Sequence, residues 1–232
     1  LNQIDKPQLI QTEFGHVTIA AKIYMILNKI TTISFVVPCI IYNNTNVWLT
    51  VSESLDELKV DIPINKYGII TPRSYFKTGK MPKNLLLNVN KSNDSLEPFE
   101  ILTPRKSNIY VRQPSPSKNT SKSYIHFGLR YDISIKSEIS IVTFSPLIRV
   151  RNNLKYKIDL SPFENNKIRN SPYTITPGES TELTRMTKFG IFQLSIDQFE
   201  QKPKICLTKE QRSSLKFVLN NKLYLIEVEI ID

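Results

Sequence analysis

Two histidines, His16 and His126, and two cysteines, Cys39 and Cys206, are the side chains of this 232-residue chain best suited to acid–base, nucleophilic or metal chemistry. Their spacing supports none of it. Structural zinc sites draw their ligands from closely spaced Cys and His pairs, and no such pair occurs. Each cysteine stands in an apolar, strand-like run, the setting of a buried free thiol in a reducing compartment. Each histidine stands in the lead-in strand of its own half of the chain, and the two read as structural counterparts. Glu53, Asp56 and Glu57 fall on a polar connecting stretch and read as a solvated loop. There is no G-x-S-x-G, HExxH or P-loop pattern, and six glycines leave little material for a phosphate-cradling or dinucleotide loop. The chain is therefore expected to be non-enzymatic, with no catalytic residue, no metal site and no cofactor.

Binding chemistry is better represented. The formal net charge is +10, with 31 Lys and Arg against 21 Asp and Glu. The excess is spread over both halves, which suits an anionic membrane surface, an acidic peptide or nucleic acid and serves solubility equally. Nucleic acid is not expected as a partner. One stretch concentrates the charge at alternate positions: Arg149, Arg151, Lys155 and Lys157. Such a basic face could meet anionic lipid, or could simply solvate a strand and discourage edge pairing. Four Asn-x-Ser/Thr sequons, at Asn43, Asn90, Asn93 and Asn119, read as chance matches in an Asn-rich chain. No apolar run is long enough to cross a bilayer as a helix, and no signal-like segment opens the chain. The opening LNQIDKPQLI reads like the interior of a longer polypeptide.

The elements that would position these residues are strands. Helical periodicity is nearly absent. Runs rich in β-branched and aromatic residues recur, among them HVTIAAKIYMIL (16–27), ITTISFVV (30–37), NLLLNVN (84–90), SYIHFGLRYDISI (123–135), EISIVTF (138–144) and KLYLIEVEI (222–230). RQPSPSKNTSKS (112–123) reads as a linker and SPFENNKIRNSP (161–172) as a long loop. An internal repeat is visible. ISFVVPCIIYNN (33–44) matches ISIVTFSPLIRVRNN (139–153), YGIITP (67–72) matches YTITP (173–177), and PFEILT (98–103) matches GIFQLS (190–195). KFVLNNKLYLIEVEIID at the end reads as the lead-in strand of a third copy. The expected fold is all-β: two tandem antiparallel β-sandwich modules of a repeat array, at 1–121 and 122–232.

Both copies carry a doubled asparagine within a strand-like segment. Strict period two separates the pair. In the second copy Ile148, Val150, Asn152, Leu154, Tyr156, Ile158 and Leu160 share one parity, and the charged residues share the other. In the first copy Asn43 falls in with Cys39, Ile41, Thr45, Val47, Leu49 and Val51. Asn43 and Asn152 are thus expected to face the core and to bind the backbone of a neighbouring connection, since an unpaired buried amide costs about 1–3 kcal/mol. The competing reading is a turn at each pair, with one asparagine at positive φ.

Modules of ~110 residues, each with an apolar-Pro-apolar lead into an asparagine, resemble the adaptor-binding (VAB) region of the VPS13 lipid-transfer proteins. FSPLIRVRNNLKYKIDL followed by ITPGESTEL (175–183) is especially similar, and the family's characteristic repeat asparagine matches Asn43 and Asn152. The resemblance implies a cytoplasmic docking role, peripheral at organelle membranes and membrane contact sites. The region would bind short proline-containing (PxP) segments of organelle adaptor proteins and so recruit the rest of its parent lipid-transfer protein. In the family this binding belongs to late repeats. A proline peptide suits a strand edge lined by apolar side chains, because proline lacks an N–H and its ring fills pockets. Candidates in the second module are Tyr173, Ile175, Leu183, Phe189, Ile191 and Phe192. The alternatives are a structural spacer repeat and direct binding of anionic lipid.

Overall fold

The β-branched and aromatic runs form strands throughout the computed structural model. It describes residues 8–14, 17–26, 29–54, 59–90, 96–114, 124–164, 167–168, 171–187, 189–207 and 212–229. Among these residues there are 22 strands and one helix, and the fold is all-β. The chain forms two units, Leu1–Ile109 with Arg130–Ser145, and Tyr110–Leu129 with Pro146–Asp232. They interleave along the sequence, because residues 130–145 belong with the first. The expected boundary at 121/122 lies outside the described residues, as does the stretch 115–123 of the expected linker.

The first unit opens with β1 (Gln8–Phe14), β2 (Val17–Ile26) and β3 (Lys29–Val36), an antiparallel meander. Next come β4 (Cys39–Asn43), β5 (Leu49–Ser52), β6 (Val60–Ile62), β7 (Lys66–Ile70), α1 (Arg73–Thr78), β8 (Asn84–Val89), β9 (Glu97–Glu100) and β10 (Arg105–Pro114). A hairpin follows, β11 (Tyr124–Lys136) and β12 (Ile139–Pro146), with Tyr110–Pro114 of β10 and Tyr124–Leu129 of β11 belonging to the second unit. One sheet has the order β10-β11-β12-β4-β7 and the other β6-β5-β8-β9. They face each other as a sandwich. Phe99 of β9 meets Phe144 of β12 edge-on at 5.2 Å and Tyr131 of β11 at 5.9 Å. Aromatic pairs in this geometry add to the burial of their own surface. Gly68 of β7 lets β6 come close: a Cβ there would lie 2.8 Å from Ile62 Cγ1.

One pairing departs from the antiparallel expectation. β12 pairs with β4 in parallel, with Ser140 opposite Cys39 and Phe144 opposite Asn43. By sequence β12 is the second copy's counterpart of β3, the strand that leads into β4. The strand that begins one repeat therefore completes the sheet of the repeat before it.

In the second unit the start of β11 pairs with β18 (Arg185–Met186). β13 (Ile148–Arg151) pairs with β17 (Ser180–Leu183). β14 (Ile158–Glu164) carries β15 (Lys167–Ile168) and β16 (Tyr173–Ile175) on one edge. On its other edge lie β19 (Ile191–Ile196) and then β20 (Lys204–Cys206). β21 (Arg212–Leu219) and β22 (Lys222–Glu229) form a closing hairpin. The segment 161–172, expected as a long loop, instead extends β14 to Glu164 and returns in β15, because Ser161 and Pro162 continue the ladder to β19. The chain's end, expected as one lead-in strand, is a two-strand hairpin.

The repeat is clearer in pairing than in letters. β5-β8-β9 corresponds to β14-β19-β20, and equivalent backbone bonds close them: Ile101 N to Lys83 O at 3.1 Å, and Leu207 N to Gly190 O at 3.0 Å. GIFQLSI (190–196) is therefore the counterpart of KNLLLNV (83–89), and not of PFEILT. Likewise YTITP corresponds to VDIPI (60–64). The turns that follow are the same, Lys66 N to Pro63 O at 3.2 Å and Glu179 N to Thr176 O at 3.1 Å. Each has positive φ at its third residue, Asn65 at 54° and Gly178 at 81°, the mark of a type II turn. YGIITP instead forms β7 and the approach to α1. The Thr-Pro letters coincide without structural equivalence.

The β11–β12 hairpin turns at Ser137 (φ 48°) and Glu138 (φ 68°), where a two-residue turn of the I′ kind demands positive φ twice. Neither residue favours it, whereas Asn220 and Asn221 supply the same turn between β21 and β22 with φ of 50° and 60°. Replacing Ser137→Asn together with Glu138→Gly is expected to stabilise the protein by about 1 kcal/mol, read from urea unfolding. An unchanged or lower midpoint would contradict the turn assignment.

Candidate interaction surface and the asparagine clamp

Alternation carries Asn43 inward. Cys39, Ile41, Thr45, Val47, Leu49 and Val51 are all buried with it, and Asn43 itself is 0% exposed. Its two amide hydrogens are shared among three carbonyls: Val47 at 2.8 Å, Ile62 at 3.0 Å and Pro63 at 3.1 Å. Its Oδ1 accepts from Thr45 N at 3.1 Å and from the Thr45 hydroxyl at 2.6 Å. Asn152, 1% exposed, repeats the set. Its Nδ2 donates to Tyr156 O at 2.8 Å and to Ile175 O at 2.9 Å, and its Oδ1 accepts from Leu154 N at 3.0 Å.

The bond from Oδ1 to the N–H two residues on is an Asx turn. The strand does not run through the pair, as β13 ends at Arg151 and β14 begins at Ile158. The amide turns the chain and at the same time ties it to the end of β6 or β16. The clamp and the turn are thus one structure, and none of Asn43, Asn44, Asn152 and Asn153 has positive φ. Flanking side chains repeat too. The Thr50 hydroxyl donates to Asp61 at 2.7 Å, while at the equivalent β14–β16 pair the partners are exchanged and Thr174 donates to Asp159 at 2.6 Å.

Among the peptide candidates, Ile175, Leu183 and Phe192 lie in the buried core of the second unit. Tyr173 is partly buried, and its hydroxyl accepts from Arg185 N at 2.7 Å and donates to Arg185 O at 3.2 Å. Ile191 is half-buried opposite Cys206, and Phe189 is 60% exposed. These last two flank β20, the outermost strand of its sheet. On the basic face Arg149, Arg151, Lys155 and Lys157 are all exposed. Arg149 pairs with Glu182 at 2.8 Å, and the Lys155 ammonium sits 5.3 Å from the Tyr156 ring centre. Sequence reasoning passed over one aromatic pair: Tyr42 and Tyr67, exposed on neighbouring strands with ring centres 5.8 Å apart. The solvent parity of Tyr42 in IIYNN was the available signal.

His16 lies outside the described residues, as do Asp56, Glu57, Asn93 and Asn119. His126 is partly buried in β11 opposite Met186. Glu53 accepts from Ser74 N at 3.1 Å, at the start of α1. Among the described residues no group of three or more His, Cys, Asp or Glu could hold a metal ion, and no helix is long and apolar enough to cross a membrane. No protein-family model matches the chain, and no curated protein matches it.

Burial pushes the Cys39 thiol up to about 12, so at pH 7.5 it carries almost no reactive thiolate. A maleimide should label one thiol per native chain at that pH, and Cys206→Ser should abolish it; native labelling of Cys39 would contradict its burial. Asn152→Ala removes one amide and strands two carbonyls and an N–H. It should cost about 3 kcal/mol, against a change within about 0.5 kcal/mol for the exposed Asn153→Ala. Equal effects in urea unfolding would contradict the clamp.

Proposed function

We propose that the chain is a non-catalytic docking array of the VPS13 adaptor-binding kind. It holds PxP segments of organelle adaptor proteins and so stations a bridge-like lipid-transfer protein at organelle membranes and contact sites. The observation that supports this most is the recurrence of the clamped asparagine. Asn43 and Asn152 take the same backbone partners in two successive repeats, at the positions where the sequence resembles that family. The surface best suited to a peptide is the outer edge of β20 beside Phe189 and Ile191. An extended peptide can extend such an edge with its own backbone. Proline leaves every second position free of an N–H demand, and its ring packs on the exposed aromatic.

A second reading follows from the shared exposure of Arg149, Arg151, Lys155 and Lys157. A cluster of this kind attracts anionic headgroups at about 1 kcal/mol per cation near the surface. Liposome flotation with and without phosphatidylserine separates the readings: salt-sensitive flotation lost on charge reversal at Arg151 and Lys157 would favour lipid. Titration of a labelled PxP peptide should give saturable binding that weakens at least about fivefold, roughly 1 kcal/mol, in Phe189→Ala. No binding at high micromolar peptide, or binding indifferent to Phe189, would contradict peptide capture at this edge. With flotation also negative, the chain would be a spacer.

A further inference from the structure

The two units differ in one sheet. In the first, β10-β11-β12-β4-β7 is continuous. In the second, the counterparts of its outer strands form two separate pairs, β21-β22 and β13-β17. The counterpart of β12, the strand that would join β22 to β13, has no equivalent among the described residues. The core registers this. Ile41, paired with Val142 of β12, is fully buried, whereas its counterpart Val150 is only partly buried. Ile148 is 9% exposed where Cys39 is 0%, and Ile205 is 8% exposed where Phe99 is 2%.

We infer that the outer edge of β13 is the docking site for a parallel strand of β12 type, delivered by a further repeat that follows β22 in the array. The occupant's chemistry is given by what β12 does on β4. Ser140 N donates to Pro38 O at 3.0 Å, and Asn44 N donates to Phe144 O at 2.9 Å. The Ser140 hydroxyl donates to Ile101 O at 3.0 Å. Phe144 fills the core beside Phe99 and Tyr131. The corresponding groups on the second unit are the Leu147 carbonyl, the Asn153 N–H, the Leu207 carbonyl and the core around Ile205. An incoming strand therefore carries a small hydroxyl residue opposite Ile148, an aliphatic one opposite Val150 and an aromatic one opposite Asn152. β22 already lies where β11 lies in sequence order, one tight turn before such a strand. Its hairpin is anchored by Phe217 and Tyr224, each edge-on to Phe199 at 5.5 and 5.4 Å. This site is separate from the β20 edge and does not rest on the adaptor-peptide reading.

The probe is a labelled peptide with the sequence of residues 138–146, extended by lysines for solubility and titrated into the whole chain. Saturable one-to-one binding is expected, with slower exchange at the Asn153 amide. Binding should weaken at least tenfold when the peptide carries F144A or an N-methyl group on the Ser140 amide. No saturable binding up to the solubility limit would overturn the proposal, as would binding indifferent to both changes. Self-association of the free chain that Ile33→Pro in β3 abolishes, and that the peptide reverses, would make a second copy the occupant and overturn the assignment to a following repeat.

Discussion

A single side-chain amide in each repeat must be satisfied in the core, and much of the local architecture follows from it. Asn43 and Asn152 hold three segments at once: the strand that ends on them, the bend that follows, and the end of β6 or β16. A hydrophobic side chain of the same size could fill the space. It could not bind the carbonyls of a strand end and the N–H of a bend, and those groups would then be buried without partners. The clamp also sets which sheet each strand joins. Before the asparagine the chain runs in the sheet of β4 or β13; after the bend it runs in the facing sheet as β5 or β14.

Much of this was legible in the sequence, and the reason is periodicity. Burial alternates with period two through IIYNNTNVWL and IRVRNNLKYKIDL, so parity alone places Asn43 and Asn152 inside. What parity does not contain is pairing. The letters of YGIITP and YTITP agree while their places in the sheets differ, because a Thr-Pro step can serve either a turn or a helix approach. The true counterparts, VDIPIN and YTITPG, share little beyond an apolar residue at the clamp and a residue tolerant of positive φ three positions on. Another doubled asparagine, Asn220-Asn221, makes the same point. Both residues adopt positive φ in a two-residue turn, and nothing in the dipeptide itself distinguishes it from the clamping pairs. The flanking context does: the clamps sit in a bend, and Asn220-Asn221 joins two long alternating strands in register.

The candidate surfaces were less legible for a related reason. Apolar residues at alternate positions mark a core face and a binding face alike. Ile175, Leu183 and Phe192 belong to the core, and Phe189 stands out only once the sheet order puts it beside an outermost strand. The parallel β4–β12 pair was invisible to sequence because it joins segments from successive repeats. In it the second repeat lends its lead-in strand to the sheet of the first.

Amide exchange at the clamping side chains tests this account most directly. In native protein the Nδ2 hydrogens of Asn43 and Asn152 are buried and bonded, so they should exchange at least about a hundredfold more slowly than those of the exposed Asn153, opening only with the unit that holds them. If either exchanges at the rate of Asn153, the amide is not held by the carbonyls of β6 or β16, and the clamp is not what organises the repeat.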